Sequence, residues 1–419
     1  MLQWYAELNA KEKRTMGACF GGWTLDALDV QFYSFVIPTL LATWGISKGE
    51  AGVLGTITLL ISAFGGWFAG TISDRYGRVR VLQITILWYA VFTFLCALTQ
   101  NFSQLFICRA LQGLGFGGEW VAGAVLMGEV IRDKYRGRAV GLVQTGWAVG
   151  WGAAAILYTV LFAIFPAEIA WRVLFALGLL PGLLVFWIRR RVEDAPIFTA
   201  NAASSQIGVA HLFSALKPPH VATTWRVAMM VTGAQGGSYA LSVWMPTYLN
   251  TVRHLSSVST GSYLILHIFG ALLGFIIASF LSDAIGRKPT FLISVLASVV
   301  MVGIYMLAPL SNAALLWLGF PLGIVLYMMW PPMGPFMTEL FPTEVRGNAQ
   351  GFCYNAGRGI GALFPMLVGF LAATLGLAAA IVIFAFIAYG LMIVALLMLP
   401  ETHGRRLDSV DQDLVAAGE

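Results

Sequence analysis

Three observations on the sequence predict an all-α membrane protein with twelve transmembrane helices in two six-helix bundles. First, 58% of the 419 residues are hydrophobic and 11% are charged, where a soluble chain carries about 25% charged residues. Second, apolar runs of about 20 residues, enough to cross a bilayer as a helix, recur along the whole chain. Third, features of the first half return in the second at a nearly constant spacing.

The first span, 16–42, follows a polar stretch from Met1 to Arg14. It is too long for the apolar core of a cleavable leader and lacks a small-residue cleavage site, so it is expected to be retained. Asp26 and Asp29 interrupt its apolar run. A carboxylate at mid-bilayer costs about 2.5–3.5 kcal/mol on insertion scales, and nothing in folding requires that cost. Their i, i+3 spacing puts both on one helix face, with Gly22 and Tyr33 above and below.

Spans two to six follow at 50–73, 81–99, 103–130, 138–164 and 171–188. Span four carries Arg109, Gln112 and Glu119. The polar segment from Arg189 to His220, with Arg189-Arg190-Arg191 and Lys217-Pro218-Pro219, reads as a cytosolic linker. It divides the chain into a first bundle at 1–188, a linker at 189–221, and a second bundle with a short cytosolic tail at 222–419. Spans seven to twelve fall at 222–249, 258–282, 290–308, 314–338, 348–373 and 377–399. Gly233, Gly236 and Gly237 are expected to loosen span seven, and Pro331, Pro332 and Pro335 to kink span ten.

Charge placement sets the orientation. Most of the 25 Lys/Arg fall in the N-terminal tail, the linker, the C-terminal tail and the loops on that same side. Lys48, Arg172 and Arg253 lie on the other side, and Arg109 and Arg358 lie within spans. This asymmetry predicts a multi-pass protein of the cell membrane with both termini cytoplasmic. The net charge of +5 is therefore a topology signal, and no nucleic-acid partner is expected. Cys19, Cys96, Cys108 and Cys353 show no paired spacing and are expected to be free thiols. No histidine cluster, nucleophile–base pair or phosphate loop appears, so neither an enzyme nor a metal is expected. No bound cofactor is expected, the lipid bilayer is the expected surrounding, and the protein is expected to be a monomer.

The repeat has three anchors. Asp74-Arg75-Tyr76-Gly77-Arg78 after span two returns as Asp283, Gly286, Arg287 and Lys288 after span eight. Glu129 with Arg136 after span four returns as Glu339 with Arg346 after span ten. Glu193 before Pro196 returns as Glu401 after Pro400. The common spacing, about 210 residues, implies parallel repeats related by an axis along the membrane normal, with a site between them near the midplane.

Here the chain resembles a known family. The stretch from Gly70 to Arg80, with Asp74, Arg75, Gly77 and Arg78, is similar to the loop 2–3 signature of the major facilitator superfamily. Arg109-Ala-Leu-Gln112-Gly113-Leu-Gly115 resembles its fourth-helix motif, and Leu399-Pro400-Glu401-Thr402 the element after helix twelve of its sugar-porter branch. The resemblance implies a transporter fold over essentially the whole chain. Leu25-Asp26-Ala-Leu-Asp29 and Trp244-Met-Pro246-Thr247-Tyr248 resemble the sialate/lactate and aromatic-acid proton symporters of that superfamily. Aromatic-acid members usually carry Gly between the two acids, where this chain has Ala27 and Leu28. The segment Arg189–His220 leaves no room for the extra membrane segments of long sialate permeases.

The candidate residues fall into three groups. Asp74, Arg75, Gly77, Arg78, Glu129 and Arg136, with Asp283, Gly286, Arg287, Glu339 and Arg346, are expected to form cytoplasmic charge latches for gating. The bland alternative is topogenic charge and surface ion pairs worth under about 1 kcal/mol each. Asp26, Asp29, Glu119, Arg109 and His267 are candidates for proton coupling. Arg109 is equally readable as a structural partner of Asp26, Asp29 or Glu119, and His267 as a structural histidine with one hydrogen bond. Arg358, Asn355, Tyr33, Gln112, Tyr354 and Tyr327 are candidates for substrate contact. A lone arginine at the midplane suits a carboxylate, which it can hold through two parallel hydrogen bonds; an interhelical ion pair is the alternative. A proton on the aspartate pair and an anion on Arg358 together leave a nearly neutral cavity, which costs less to close. The expected activity is proton-coupled import of a small organic anion by alternating access, with lactate or pyruvate preferred. A sialate or aromatic-acid symporter and a drug/proton antiporter are the alternatives.

Overall fold

The computed structural model describes residues 3–76, 78–180, 182–183, 216–342 and 345–404, and every regular element among them is helical. A short α1, Gln3–Ala6, precedes α2, Ala10–Trp44. Asn9 starts α2 with a reciprocal cap: its Oδ1 accepts from Glu12 N at 2.9 Å and its N donates to Glu12 Oε2 at 2.8 Å. Glu12 also takes Arg132 Nε at 2.8 Å. Gly45 ends α2 in the left-handed conformation, φ 64°, which favours glycine.

The first half continues with α3 Lys48–Tyr76, α4 Arg78–Ala97, α5 Phe102–Val130, α6 Asp133–Ile164 and α7 Ala167–Leu177. These coincide with spans two to six, although the end of span six, 184–188, lies outside the described residues. The second half holds α8 Val221–Ser242, α9 Met245–Thr247 running into a π-helical turn at Tyr248–Val252, α10 Ser257–Ile285, α11 Arg287–Leu307, α12 Asn312–Tyr327, α13 Met333–Leu340, α14 Arg346–Gly361, α15 Leu363–Leu375 and α16 Leu377–Met398. Among the described residues, eight helical stretches are long and apolar enough to cross a membrane, one of them the run Arg346–Leu375 that holds α14 and α15. Spans seven, ten and eleven are each made of two helical pieces. Pro246, Pro331 and Pro332 supply the first two breaks, because proline removes a backbone N–H and crowds the preceding turn.

The chain forms two compact units that do not follow the sequence halves strictly. One contains Met1–Ser205, Ser242–Ile265 and Pro365–Thr374; the other contains Gln206–Leu241, Leu266–Phe364 and Leu375–Glu419. In the first, α3 and α5 pack backbone to backbone. A Cβ on Gly113 or Gly117 would run into the carbonyl oxygens of Thr58 and Ser62. Thr58 Oγ1 donates across the same contact to Arg109 O at 3.0 Å. Two pieces of the second half belong to this unit: Trp244 Nε1 ties them together by donating to Pro365 O at 3.0 Å, and Met366 N docks on α3 by donating to Thr56 Oγ1 at 3.2 Å. Arg172, one of the outlying basic residues, donates Nη1 to the carbonyls of Ala97 and Thr99 at 2.6 and 2.7 Å and lies over the Trp171 ring. It caps the carbonyl end of α4. In the second unit α14 packs on α8, where a Cβ on Gly357 or Gly361 would meet Val231 and Gln235.

Candidate functional site

Among the described residues, each unit carries one fully buried arginine with polar company. In the first unit the cluster draws on α2, α4 and α5. Asp26 and Asp29 are 0% and 2% exposed, and Arg109 and Gln112 are each 2% exposed. Arg109 Nη1 donates to Gln112 Oε1 at 2.8 Å, and Gln112 Nε2 donates to Thr93 Oγ1 at 2.6 Å. Thr93 Oγ1 lies 2.8 Å from Asp29 Oδ2 and 2.8 Å from the Tyr89 carbonyl. The Arg109 guanidinium lies 4.5 Å from the centre of the Tyr33 ring, and the Tyr33 hydroxyl donates to Ala51 O at 2.5 Å. Arg109 thus reaches Asp29 through two neutral side chains and forms no direct ion pair with it. Among the described residues Asp29 Oδ1 has no hydrogen-bond partner. Behind the carboxylate, a Cβ on Gly178 would strike the Thr93 side chain and lie 2.9 Å from Asp29 Oδ1.

Asp26, one turn earlier on α2, is buried beside Ala27, which packs on Gly150 of α6. The Trp23 and Trp147 rings lie 5.0 Å apart on the same pair of helices. Cys96 of α4 and Cys108 of α5 are side by side within hydrogen-bond reach, and all four cysteines are free thiols.

In the second unit Arg358 occupies the last turn of α14 at 2% exposure, just before the break at Ala362. Its guanidinium lies 5.6 Å from the centre of the Tyr354 ring, and the Tyr239 hydroxyl of α8 hydrogen-bonds to it. Asn355 Nδ2 donates to Gly351 O at 2.9 Å, while its buried Oδ1 has no partner among the described residues. Tyr327 packs against His267 and Phe275, with ring centroids 6.2 and 5.7 Å apart. His267 Nδ1 faces the Gly319 carbonyl at 3.0 Å, so Nδ1 carries the hydrogen.

A charge network closes one end of this unit. Arg287 pairs with Asp283 at 2.8 Å and with Glu339 at 3.0 Å, and Thr402 Oγ1 donates to the other Glu339 oxygen at 2.5 Å. Glu401 accepts from the backbone N–H groups of Arg287, Lys288, Thr402 and His403. Gly286, at φ 105°, supplies the turn that brings these amides round the carboxylate. Arg346 Nε donates to the Thr338 and Phe341 carbonyls at 3.1 Å each. Gly77 and the side chains of Asp74, Arg75, Arg78, Glu119, Glu129 and Arg136 lie outside the described residues.

The structure thus gathers Asp29, Arg109, Gln112 and Tyr33 in one cluster and Arg358, Tyr354 and Asn355 in another. Thr93, Gly178 and the Tyr239 hydroxyl join them. Thr93 carries no sequence signal, since a threonine in an apolar helix is ordinary. Tyr239 was visible only as one of many aromatics within spans.

The arrangement joins a buried acid, a buried guanidinium and broken helices in an apolar chain, as a carrier of charged solutes requires. Comparisons with known proteins agree. The model of the Major Facilitator Superfamily matches residues 19–364 and 264–416. The chain is 43% identical over 413 residues, 98% of its length and 96% of the relative's, to a probable 4-methylmuconolactone transporter of Cupriavidus pinatubonensis. It is 30% identical over 356 residues, 83% of its length and 84% of the relative's, to a cis,cis-muconate transport protein of Acinetobacter baylyi. Among solved structures it resembles a D-xylose-proton symporter with a TM-score of 0.75 at 20% identity, covering 94% of this chain and 99% of that one.

Proposed function

We infer that this chain, which belongs to the Major Facilitator Superfamily and is a transporter of small organic acids, imports its substrate together with protons. Asp29 is the proton carrier. One observation supports this above the others: a fully buried carboxylate whose hydrogen-bond partner is a neutral hydroxyl rather than a base. An ionised carboxylate held that way carries a penalty of several kcal/mol, which a proton removes. Asp26, one turn away on the same face, adds repulsion whenever both acids are charged. Glu119 and His267 stay as further coupling candidates, and the charge network around Arg287 and Glu339 as a gate.

Arg358 receives the substrate carboxylate. Tyr354 and Tyr239 flank its guanidinium, so an acid with an unsaturated or cyclic body gains contact that a two- or three-carbon acid lacks. The relatives' names point the same way: a muconolactone and cis,cis-muconate. We therefore place the substrate among unsaturated or lactone-bearing carboxylates and keep lactate and pyruvate as the second reading. The excess of basic residues in the linker and tails supports cytoplasmic termini.

The test is uptake into proteoliposomes with an imposed inward proton gradient. Labelled 4-methylmuconolactone and cis,cis-muconate are compared with lactate and pyruvate. Accumulation of the unsaturated acids that collapses with the gradient, and is lost in Asp29→Asn, is the expected result. Uptake indifferent to the gradient would remove the coupling claim. Accumulation of lactate alone would replace the substrate class.

A further inference from the structure

We propose that Thr93 is a positioning residue whose hydroxyl turns between Asp29 and the Tyr89 carbonyl as Asp29 gains or loses a proton, while Gln112, oriented by Arg109, holds its oxygen in both states. This rests on the reading of Asp29 as the proton carrier. The argument is a count of donors and acceptors. A guanidinium has only hydrogens to give. Arg109 Nη1 donates to Gln112 Oε1, which turns the amide so that Nε2 points at Thr93 Oγ1. Gln112 therefore donates and Thr93 accepts. Thr93 is left with one hydrogen and two acceptors in reach, Asp29 Oδ2 and Tyr89 O, both at 2.8 Å.

With Asp29 ionised, the charged oxygen takes that hydrogen, since charge-assisted bonds are the stronger ones. When a proton from water bonds to Oδ2, this oxygen becomes a donor. Two hydrogens cannot share one line, so the Thr93 hydrogen turns to Tyr89 O. Thr93 Oγ1 then accepts from Asp29 and from Gln112 together. A proton on Oδ1 instead would be buried facing no acceptor among the described residues. Each state of Asp29 therefore has one arrangement that satisfies the chain, and the two differ by rotation of a single O–H bond. The one covalent change is the O–H bond formed on Oδ2, reversed when the proton leaves.

The surroundings fit this role. The other charged or titratable groups about Asp29 are Arg109 and Cys108 of α5, Cys96 of α4, and Tyr33 and Asp26 of α2. Arg109 keeps its charge at any pH, and the Tyr33 hydroxyl is committed to Ala51 O. Gly178 closes the space behind Thr93 and Asp29 without a side chain, so the hydroxyl turns while its carbon skeleton stays fixed.

The experiment measures proton-driven accumulation and substrate exchange across a pH series in wild type, Thr93→Ser and Thr93→Val. Exchange needs no net proton movement, so the ratio of accumulation to exchange isolates coupling. Thr93→Val keeps the shape and removes the hydroxyl; its ratio should fall by about tenfold or more, with a displaced pH profile. Thr93→Ser restores the hydroxyl and should restore both. Coupled wild-type transport with the same ratio and pH profile in Thr93→Val would overturn the hydroxyl switch and leave Asp29 as proton carrier. Wild-type transport without proton coupling would overturn both. Should Thr93→Val fail to assemble, Gln112→Leu, which cuts the chain one bond earlier, decides by the same ratio.

Discussion

Arg109 and Arg358 are both buried to 2% exposure, and they are held in opposite ways. Arg109 sits in the middle of an unbroken helix of 29 residues. It lies over Tyr33 and is tied through Gln112 and Thr93 to an acid. Arg358 sits in the last turn of a 16-residue helix that stops at Gly361. Tyr354 and Tyr239 accompany it, and next to it Asn355 has an open acceptor. The first arginine is fixed at both ends of a polar chain. The second stands in the last turn before a helix break. On the proposed reading, the charge that stays in register is built on a continuous helix and the charge that receives the substrate is built beside a break.

The sharpest way to break the contrast is Arg358→Ala. Uptake of the anion should fall roughly 100-fold, because a buried charge-assisted pair with the carboxylate is lost. A drug antiporter would be nearly indifferent, so direct binding of the acid by calorimetry checks the outcome. Next is Gly361→Val, which pushes α14 off Gln235 of α8. Overpacking of this kind costs about 1–3 kcal/mol, and its mark is a raised KM with a lowered melting temperature.

Arg109→Lys should be milder. The charge stays while the planar fork that orients Gln112 goes, so accumulation should drop about tenfold with binding little changed. Equal losses of binding in Arg109→Lys and Arg358→Lys would erase the distinction between the two arginines.

The smallest effect belongs to Glu401, outside the membrane spans. Burial works against its charge, but backbone N–H donors from His403, Arg287, Lys288 and Thr402 outweigh it and hold the carboxyl below the usual glutamate value. Its contribution to stability is therefore complete above the unfolded-state value and is lost as pH falls through the folded one. Glu401→Gln should lower stability at neutral pH by less than about 1 kcal/mol, given the group's exposure, and should flatten the acid limb of a thermal-stability profile.

The legible parts of this molecule were those that break a pattern. Asp26, Asp29, Arg109 and Arg358 stand out because a charge in an apolar run has a cost that folding does not explain. Pro331 and Pro332 announce the break in span ten. Thr93 announces nothing: its hydroxyl can bond within its own helix, so its meaning depends on Asp29 and Gln112 meeting it from two other helices. The break at Ala362 falls where Pro365, four residues after Gly361, lacks the N–H that the Gly361 carbonyl would take and crowds that carbonyl; what the sequence does not show is that the Pro365 carbonyl takes the Trp244 indole. Cys96 and Cys108 showed no paired spacing, yet neighbouring helices bring them together.

Arg172 carries a consequence for how the protein is made. On the proposed topology its charge must cross the bilayer during insertion, against the bias that orients the other loops. In the finished fold that guanidinium closes the carbonyl end of α4. Biogenesis and the native state therefore exert opposite selection on one side chain. Arg172→Leu should translocate its loop more readily at the ribosome–membrane junction, yet yield a protein whose third span frays once it arrives.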